Sequence, residues 1–349
     1  MHMALGLFGD GDYEALIDEL SADFINVDEV SMVDMHLAYE FFYKVKAGAR
    51  VLLVGDVHQL PSVGAGDVFR QLILCGKIPV TVLNLVYRQG KDSNIPINAQ
   101  LINEGKTNLQ WGDDFQMIEC SGADAAAQIV KNIYLKEIQV YGMEQVQILS
   151  PYKVRSAAGV LELNRSLQDD VNPPVSGKQE LHLGGEIFRE GDRILQNKNT
   201  EVASNGDLGT LVQISEDEDN NPIVQIVFTD GRRVKYEAEQ VEMMEHANAI
   251  TIHKSQGSEC HVVIIPWLKA FYPMLKRNIF YTGITRAKLR VILLGNGKLF
   301  VRQFIQMIQV PERRCWRQKY NSIVNGISHR VIDRSRQQFA TGLCKKIAK

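Results

Sequence analysis

The strongest constraint in this sequence is an alternation: short apolar runs rich in β-branched residues take turns with stretches of helical period. ADFINVDE (22–29), ARVLLVGD (49–56) and VTVLNL (80–85) read as short buried strands, with helices over 34–46 and 66–75 between them. That order builds βαβ units, whose parallel sheet is covered by helices on both faces. A second set has helices near 94–105 and 123–140, a strand VQILS (146–150) and a helix near 155–170. It resumes with HVVIIP (261–266), a helix near 273–287, the strand RVILLG (290–295) and a helix to about 310. Residues 181–245 differ in texture: LHLG, DRILQ, GTLVQIS, IVQIVF and RRVKYE are short alternating segments separated by NGDLG and EDEDNNP. They predict a small β-barrel inserted into the second α/β unit. A chain of 349 residues exceeds the roughly 250–300 at which one core stops growing, so more than one domain is expected. The expected fold class is α/β, with two parallel-sheet domains.

Composition bounds the function classes. Hydrophobic residues make up 45% and charged residues 23%, an ordinary globular balance. No apolar run approaches the ~18 residues of a membrane span, and the start MHMALGLFGDGDY has no cationic leader segment. Cys75, Cys120, Cys260, Cys315 and Cys344 include no C-x-x-C pair, which argues against a disulfide scaffold or zinc ribbon and for a reducing cytoplasm. The net charge of −2 hides a basic tail: from Pro311 onward ten Lys/Arg face only Glu312 and Asp333. Such a tail binds a polyanion or forms a solvated helical end, and both readings stay open.

Chemistry concentrates where strands end. VDEVSMVD (27–34) puts Asp28 and Glu29 at a strand's carboxyl end, where parallel α/β sheets bind ligands. A buried carboxylate pair there needs a cation, and Mg²⁺ takes one or two carboxylates with water and phosphate oxygens; a structural cap or surface pair is the alternative. VLLVGDVHQLPSVGAGDVF (51–69) again ends in Gly-Asp and then presents Gln59. On a neighbouring strand about 4.8 Å away, Gln59 faces the same crevice, where an amide suits a sensor of a terminal phosphate or its attacking water. LNLVYRQG (83–90) places Arg88 at the junction of the α/β halves, and YTGITRAK (281–288) places Arg286 in the second half. Two guanidinium groups across a cleft suit phosphoryl transfer that proceeds when the halves close, although a salt bridge is the ordinary role of any one Arg.

Taken in order, these stretches resemble RecD-like DNA helicases of superfamily 1, over about the C-terminal two-thirds of such a protein. VDEVSMVD resembles motif II, LLVGDVHQLPSVGAGDVF motif III, LVYRQ motif IV, AITIHKSQGSEC (249–260) motif V and NIFYTGITRAK (278–288) motif VI. LSPYKVRSAAGVLELNRSLQDDVNP (149–173) and GDRILQNKN…SNGDLG (191–209) point to the RecD-like branch. The resemblance implies two RecA-like domains, the first N-terminally truncated, with an SH3-like β-barrel insert in the second. Its divisions are 1–85 (domain 1A), 86–180 with 246–310 (domain 2A), 181–245 (insert 2B) and 311–349 (tail). It also implies ATP and Mg²⁺ as cofactors, and 5′–3′ movement on single-stranded DNA. By position, Asp28 would bind the metal, Glu29 activate water, and Gln59, Arg88 and Arg286 contact the γ-phosphate. Tyr87, with a core aromatic as the alternative, would stack on the adenine. Gln89, Gly257 and Glu259 would serve the nucleotide, Glu259 at its sugar, and Thr251, His253 and Lys254 would touch the DNA strand.

One departure is large. The family's first motif, G-x-x-x-x-G-K-[ST], which cradles the phosphates, is absent from the 349 residues. Gly105-Lys106-Thr107 has the last three letters, but Gln100 stands where the first Gly belongs, and the site reads as a helix C-terminus. The expectation is a fragment, split-gene half or decayed copy that does not hydrolyse ATP alone. Its expected partners are single-stranded DNA and a separate polypeptide supplying the P-loop, with no membrane. A nucleotide-independent DNA-binding remnant is the alternative. A Mg²⁺ nuclease on Asp28, Glu29 and Asp56 fits less well, since it would leave both arginines without a role.

Overall fold

The computed structural model describes residues 5, 19–83, 88–90, 92–154 and 156–297. The first part comprises β1 (Phe24–Val27), α1 (Met35–Lys44), β2 (Arg50–Leu53) and α2 (Val68–Leu74). Then come α3 (Asn94–Asn103), β3 (Phe115–Glu119), α4 (Ala123–Tyr141), β4 (Val146–Ser150) and α5 (Val160–Val171). A run of antiparallel structure follows: β5 (Glu180–Leu183), β6 (Glu186–Arg189), β7 (Arg193–Gln196), β8 (Leu208–Glu216), β9 (Pro222–Phe228), β10 (Arg233–Tyr236), α6 (Ala238–Val241) and β11 (Met244–His246). The described part closes with β12 (Ala249–Thr251), β13 (Cys260–Trp267), α7 (Arg277–Ile284) and β14 (Ala287–Gly295).

The first α/β part has a parallel pair, β1 against β2, with Val27 opposite Leu53. Asp34 starts α1 by accepting the Leu37 N–H at 2.8 Å, and Leu37, Ala38 and Phe41 bury one helix face in a cluster with Val27 and Leu53. The opposite face of the pair leaves Phe24, Leu52 and Val54 exposed. The second sheet is wholly parallel, in the order β12-β4-β13-β14-β3. Both of its faces are covered: Val262 and Ile264 pack with Val130, Tyr134, Leu163 and Leu167 of α4 and α5. Val263 and Ile265 pack with Ile95 and Ile102 of α3 and with Ile279 and Phe280 of α7. A strand buried on both faces reads as an unbroken apolar run, as VVIIP does.

The insert is a sheet in the order β10-β9-β8-β7-β11, antiparallel throughout, with β5 and β6 as a separate hairpin. A register shift between Leu211 and Gln213 bends β8. Its core holds Phe188, Ile194, Leu211, Val224, Ile226, Phe228 and Tyr236. Gly209 allows the tight packing, since a Cβ there would stand 2.8 Å from Ile226 Cγ2 and 2.9 Å from the Val227 oxygen. Polar side chains fasten the insert to the second sheet. Asn164 on α5 donates to the carbonyls of His246 (2.8 Å) and Ala249 (2.9 Å) and accepts the Ala249 N–H at 2.7 Å. Gln168 and Asn172 both donate to the buried Asp192 at 2.7 Å, and Arg193 donates to the carbonyls of Met143 and Val146 at 2.8 and 2.9 Å.

Four readings of the sequence are corrected by the fold. Residues 80–83 form no strand and expose Val80, Val82 and Leu83, because no described strand offers them a hydrogen-bonding neighbour; 84 and 85 lie outside the described residues. β3 was unforeseen: FQMIE has only mixed apolar character, but it forms the edge of the second sheet beside β14. The expected helix over 273–287 is instead a 3₁₀ turn over Lys269–Met274, which contains Pro273, followed by the shorter α7. β14 accordingly starts at Ala287 rather than 290. Gly105 is a helix end: at φ 73° its N–H reaches the Ile102 carbonyl while Lys106 N–H reaches Leu101, a Schellman closure. Among the described residues no helix is long and apolar enough to cross a membrane. The helix expected up to 310 and the basic tail fall almost wholly outside them.

Candidate active site

The site forms where the carboxyl ends of β1 and β2 approach α7. Past β1, Asp28 is exposed, and its Oδ1 accepts the Glu29 N–H at 2.8 Å. Glu29 is half-buried and holds a left-handed backbone, φ 52° and ψ 41°, as it opens a 3₁₀ turn. That conformation costs a non-glycine residue about 1–2 kcal/mol, and such strain concentrates at functional positions. The expected buried carboxylate pair is therefore not found: Asp28 is solvated, so burial does not force a cation on it. A magnesium ion still suits these residues, because it needs one or two carboxylates and fills its remaining positions with water and phosphate oxygens. No cluster of three or more potential metal-ligating side chains occurs among the described residues.

Past β2 the chain turns sharply. Asp56 Oδ1 accepts the His58 N–H at 2.9 Å, its backbone oxygen accepts the Gln59 N–H at 3.3 Å, and Gln59 Oε1 is buried with no partner. The loop reaches across to the second sheet. Tyr281 O–H donates to Asp56 Oδ2 at 2.7 Å, Leu60 N–H donates to Thr282 Oγ1 at 2.9 Å, and Gln256 donates to the Leu60 carbonyl at 3.1 Å. Leu60 itself is buried in the core of the second sheet.

Arg286 follows α7 and is only 2% exposed. Its Nε donates to the Thr282 carbonyl at 3.3 Å and Nη1 to the Ser258 carbonyl at 3.2 Å, while Nη2 is buried and unpartnered. Burial, followed by the charge of Arg88, lowers the Arg286 pKa; Glu29 and Asp56 pull the other way. Those interactions place Arg88, Glu29 and Asp56 each within electrostatic reach of Arg286. A buried guanidinium without a bound carboxylate has an unmet demand for an anion. Arg88 donates from Nη1 to the Thr285 carbonyl at 2.8 Å, and Gln89 donates to the Ala287 carbonyl at 2.7 Å. Glu259 lies 3.2 Å from Arg88 Nε and also pairs with Lys288, whose hydrogen bond is the main cause of a carboxyl pKa below the usual range. Glu259 is thus engaged by two cations.

The remaining expected residues are placed differently. Gly257 is exposed at φ 77°, and the space around its missing Cβ is open. Tyr87 lies outside the described residues. Thr251 ends β12 and accepts the Lys254 N–H at 3.3 Å. Lys254 Nζ bonds the Asn205 side chain and the Asn197 carbonyl of the insert, and burial lowers its pKa. His253 is lowered by burial and then by Lys276. Lys254 thus reaches the insert, and Gln256, two residues beyond it, carries the link back to Leu60.

Sequence reading missed Tyr281, Thr282, Gln256, Lys288 and Asn205, and weighed Asp56 only as a nuclease carboxylate. One signal was available: Thr282 stands four residues before Arg286, one helical turn away on α7.

Three family models match stretches of this chain. A family described as "AAA domain" matches residues 14–123, "ATP-dependent RecD-like DNA helicase SH3 domain" matches 163–228, and "UvrD-like helicase C-terminal domain" matches 246–294. The "ATP-dependent RecD2 DNA helicase" of Deinococcus radiodurans is 32% identical over 299 residues, covering 85% of this chain and 40% of that protein. The "RecBCD enzyme subunit RecD" of Mycolicibacterium smegmatis is 26% identical, covering 80% of this chain and 51% of that one. The chain thus spans about half or less of these relatives' length. In fold it is similar to a Bacteroides Pif1 helicase crystallised with ADP-AlF3 and single-stranded DNA, at TM-score 0.51 and 15% identity over 94% of this chain and 83% of that one.

Proposed function

This chain belongs to the RecD-like helicase family, and from that premise we propose that it forms the catalytic half-site and DNA grip of an ATP-driven motor that moves 5′–3′ on single-stranded DNA. The observation that carries the reading is the buried Arg286, with Nη2 unpartnered, set beside Arg88 and electrostatically coupled to Glu29 across the gap. On this reading Arg286 and Arg88 bind the terminal phosphate of ATP and stabilise the charge that develops as the bond to it breaks. Gln59, whose buried Oε1 has no protein partner, orients the attacking water, and Glu29 accepts its proton. Asp28 holds a magnesium ion, which when bound offsets charge on the phosphate oxygens. Gln89 and Glu259 fix the position of Arg88. Thr251, His253 and Lys254 grip the DNA strand, and Gln256 links that grip to the nucleotide side. With free cysteines at 75, 120 and 260, the protein works in a reducing cytoplasm.

The 349 residues carry no G-x-x-x-x-G-K-[ST] sequence, so we propose that hydrolysis needs that loop from outside them, on the same or a separate polypeptide. The same observation supports a second reading, a DNA-binding module without turnover. Filter binding of single-stranded DNA with and without ATP separates the two. A change in affinity on adding ATP supports the motor, and indifference supports the module.

A further inference from the structure

Gln59 has the only side chain of its turn with a buried, unpartnered oxygen among the described residues, and it is bracketed by two anchors. On its C-terminal side Leu60 is fixed by its own burial, by Thr282 Oγ1 on its N–H at 2.9 Å and by Gln256 on its carbonyl at 3.1 Å. On its N-terminal side the anchor is Asp56, both of whose carboxylate oxygens are used. Oδ1 accepts the His58 N–H at 2.9 Å inside the turn, and Oδ2 accepts the Tyr281 hydroxyl at 2.7 Å from outside it. Burial and the Asp56 charge raise the Tyr281 phenol well above the ordinary tyrosine range, so it stays a donor at every physiological pH. Gly55 completes the constraint: a Cβ there would lie 3.1 Å from Phe69 and 3.2 Å from the backbone nitrogens of Val30 and Ser31, so the turn presses on the segment just after Glu29.

We infer that Tyr281 is a positioning residue of the nucleotide site, acting through Asp56 to hold Gln59 at a fixed separation from Arg286. Tyr281, Thr282 and Arg286 belong to one stretch of chain, α7 and its end, and Arg286 Nε bonds the Thr282 carbonyl at 3.3 Å. One rigid element therefore carries the guanidinium and both clamps on the amide that faces the same phosphate. A plain strut between the two parts would not need this bond, because Leu60 already supplies three fastenings. The Tyr281 bond adds control of the turn on the other side of Gln59. The inference rests on the proposed reading of Gln59 and Arg286 as phosphate contacts, but its test does not use ATP.

Tyr281→Phe keeps the ring and deletes the hydroxyl. Amide hydrogen exchange of the full chain, resolved at 55–61, is expected to rise about tenfold at His58 and Gln59, while α7, β13 and β14 keep their protection and the thermal midpoint stays put. Asp56→Ala should raise exchange there at least as much, since it also removes the acceptor of the His58 N–H, and the double variant should rise no further than Asp56→Ala alone, since the Tyr281 bond acts only through Asp56. A slowly exchanging hydroxyl proton assigned to Tyr281 by NMR should be present in the wild type and lost in Asp56→Ala. Unchanged exchange at 58–59 in Tyr281→Phe overturns the inference, as does a rise spread evenly over the second sheet, which would mark a packing role. If Asp56→Ala does not fold, Tyr281→Phe alone decides between these outcomes. Should ATP turnover prove absent from the assembled protein, the proposed function fails while this exchange pattern still stands or falls on its own.

Discussion

Replacing Asn164 with Ala removes a side chain that touches no proposed ligand, yet the loss should be large. Asn164 is 4% exposed and joins α5 to the outer edge of β12 by two hydrogen bonds with Ala249 and to the end of β11 by one with the His246 carbonyl, all of 2.7–2.9 Å. β12 is an edge strand, so the N–H and carbonyl of Ala249 on that side have Asn164 in place of a further strand. Truncation orphans two carbonyls and one N–H in a buried setting, each at about 1–3 kcal/mol if water cannot reach it. Carbonyls tolerate partial loss better than N–H groups, and relaxation admits some solvent, so about 3 kcal/mol is the expected total. That is about a hundredfold in the folded-to-unfolded ratio. Urea unfolding followed by tryptophan fluorescence reads the loss, and hydrogen exchange at Ala249 locates it. Arg165→Ala, one residue along the same helix on the exposed face, is the control and should stay within about 0.5 kcal/mol. An Asn164→Ala midpoint no lower than the control's would refute the reasoning and make the LN-x-x-LQ stretch something other than a clamp.

Three further outcomes are expected. Lys254→Ala should weaken single-stranded DNA binding and reduce the slope of log affinity against log salt by about 0.7, the contribution of one phosphate contact; an unchanged slope would leave Lys254 as a fastener of the insert through Asn205 and Asn197. Lys288 and Arg88 hold the Glu259 carboxyl below its ordinary value of 4.5, so the stability it contributes is present above that pH and lost as pH falls through the lower folded value. The thermal midpoints of wild type and Glu259→Gln should therefore differ at neutral pH and converge in acid; divergence in acid would reverse the sign. Gly209→Ala should destabilise the insert by about 1–3 kcal/mol, because its Cβ would meet Ile226 and Val227, and calorimetry showing no loss would contradict that packing.

Features set by local pattern were legible in the sequence. VQILS and HVVIIP are apolar enough to demand burial on both faces, and both are interior strands. The insert was legible because its alternation has a different period and its turns carry Gly, Asn and Asp. FQMIE and VTVLNL were misread for a common reason: strand formation depends on a neighbour, and the sequence does not say which segments have one. In the site, Arg88, Gln59 and Arg286 were recognisable as residue types suited to phosphate, and the fold brings their segments together. The solvated state of Asp28, the pairing of Glu259 with Lys288 and the Tyr281–Asp56 bond could not be read. The two pairings join residues 29 and 225 positions apart, and exposure depends on the whole fold. The LN-x-x-LQ and NGD-x-G stretches gained a physical reason only from the structure. The first pins β12 and the buried Asp192, and the second brings Asn205 to Lys254 and leaves no Cβ room at Gly209.

The central claim is that the two guanidinium groups read the terminal phosphate of ATP. It is tested most directly by single-turnover ATP hydrolysis in the chain assembled with a strand and helix bearing G-x-x-x-x-G-K-[ST], with single-stranded DNA present. Hydrolysis should require that segment, and Arg286→Ala should slow it by about 10³-fold or more with DNA binding retained. DNA-stimulated hydrolysis by the 349-residue polypeptide alone, at a rate indifferent to Arg286→Ala, would contradict the account.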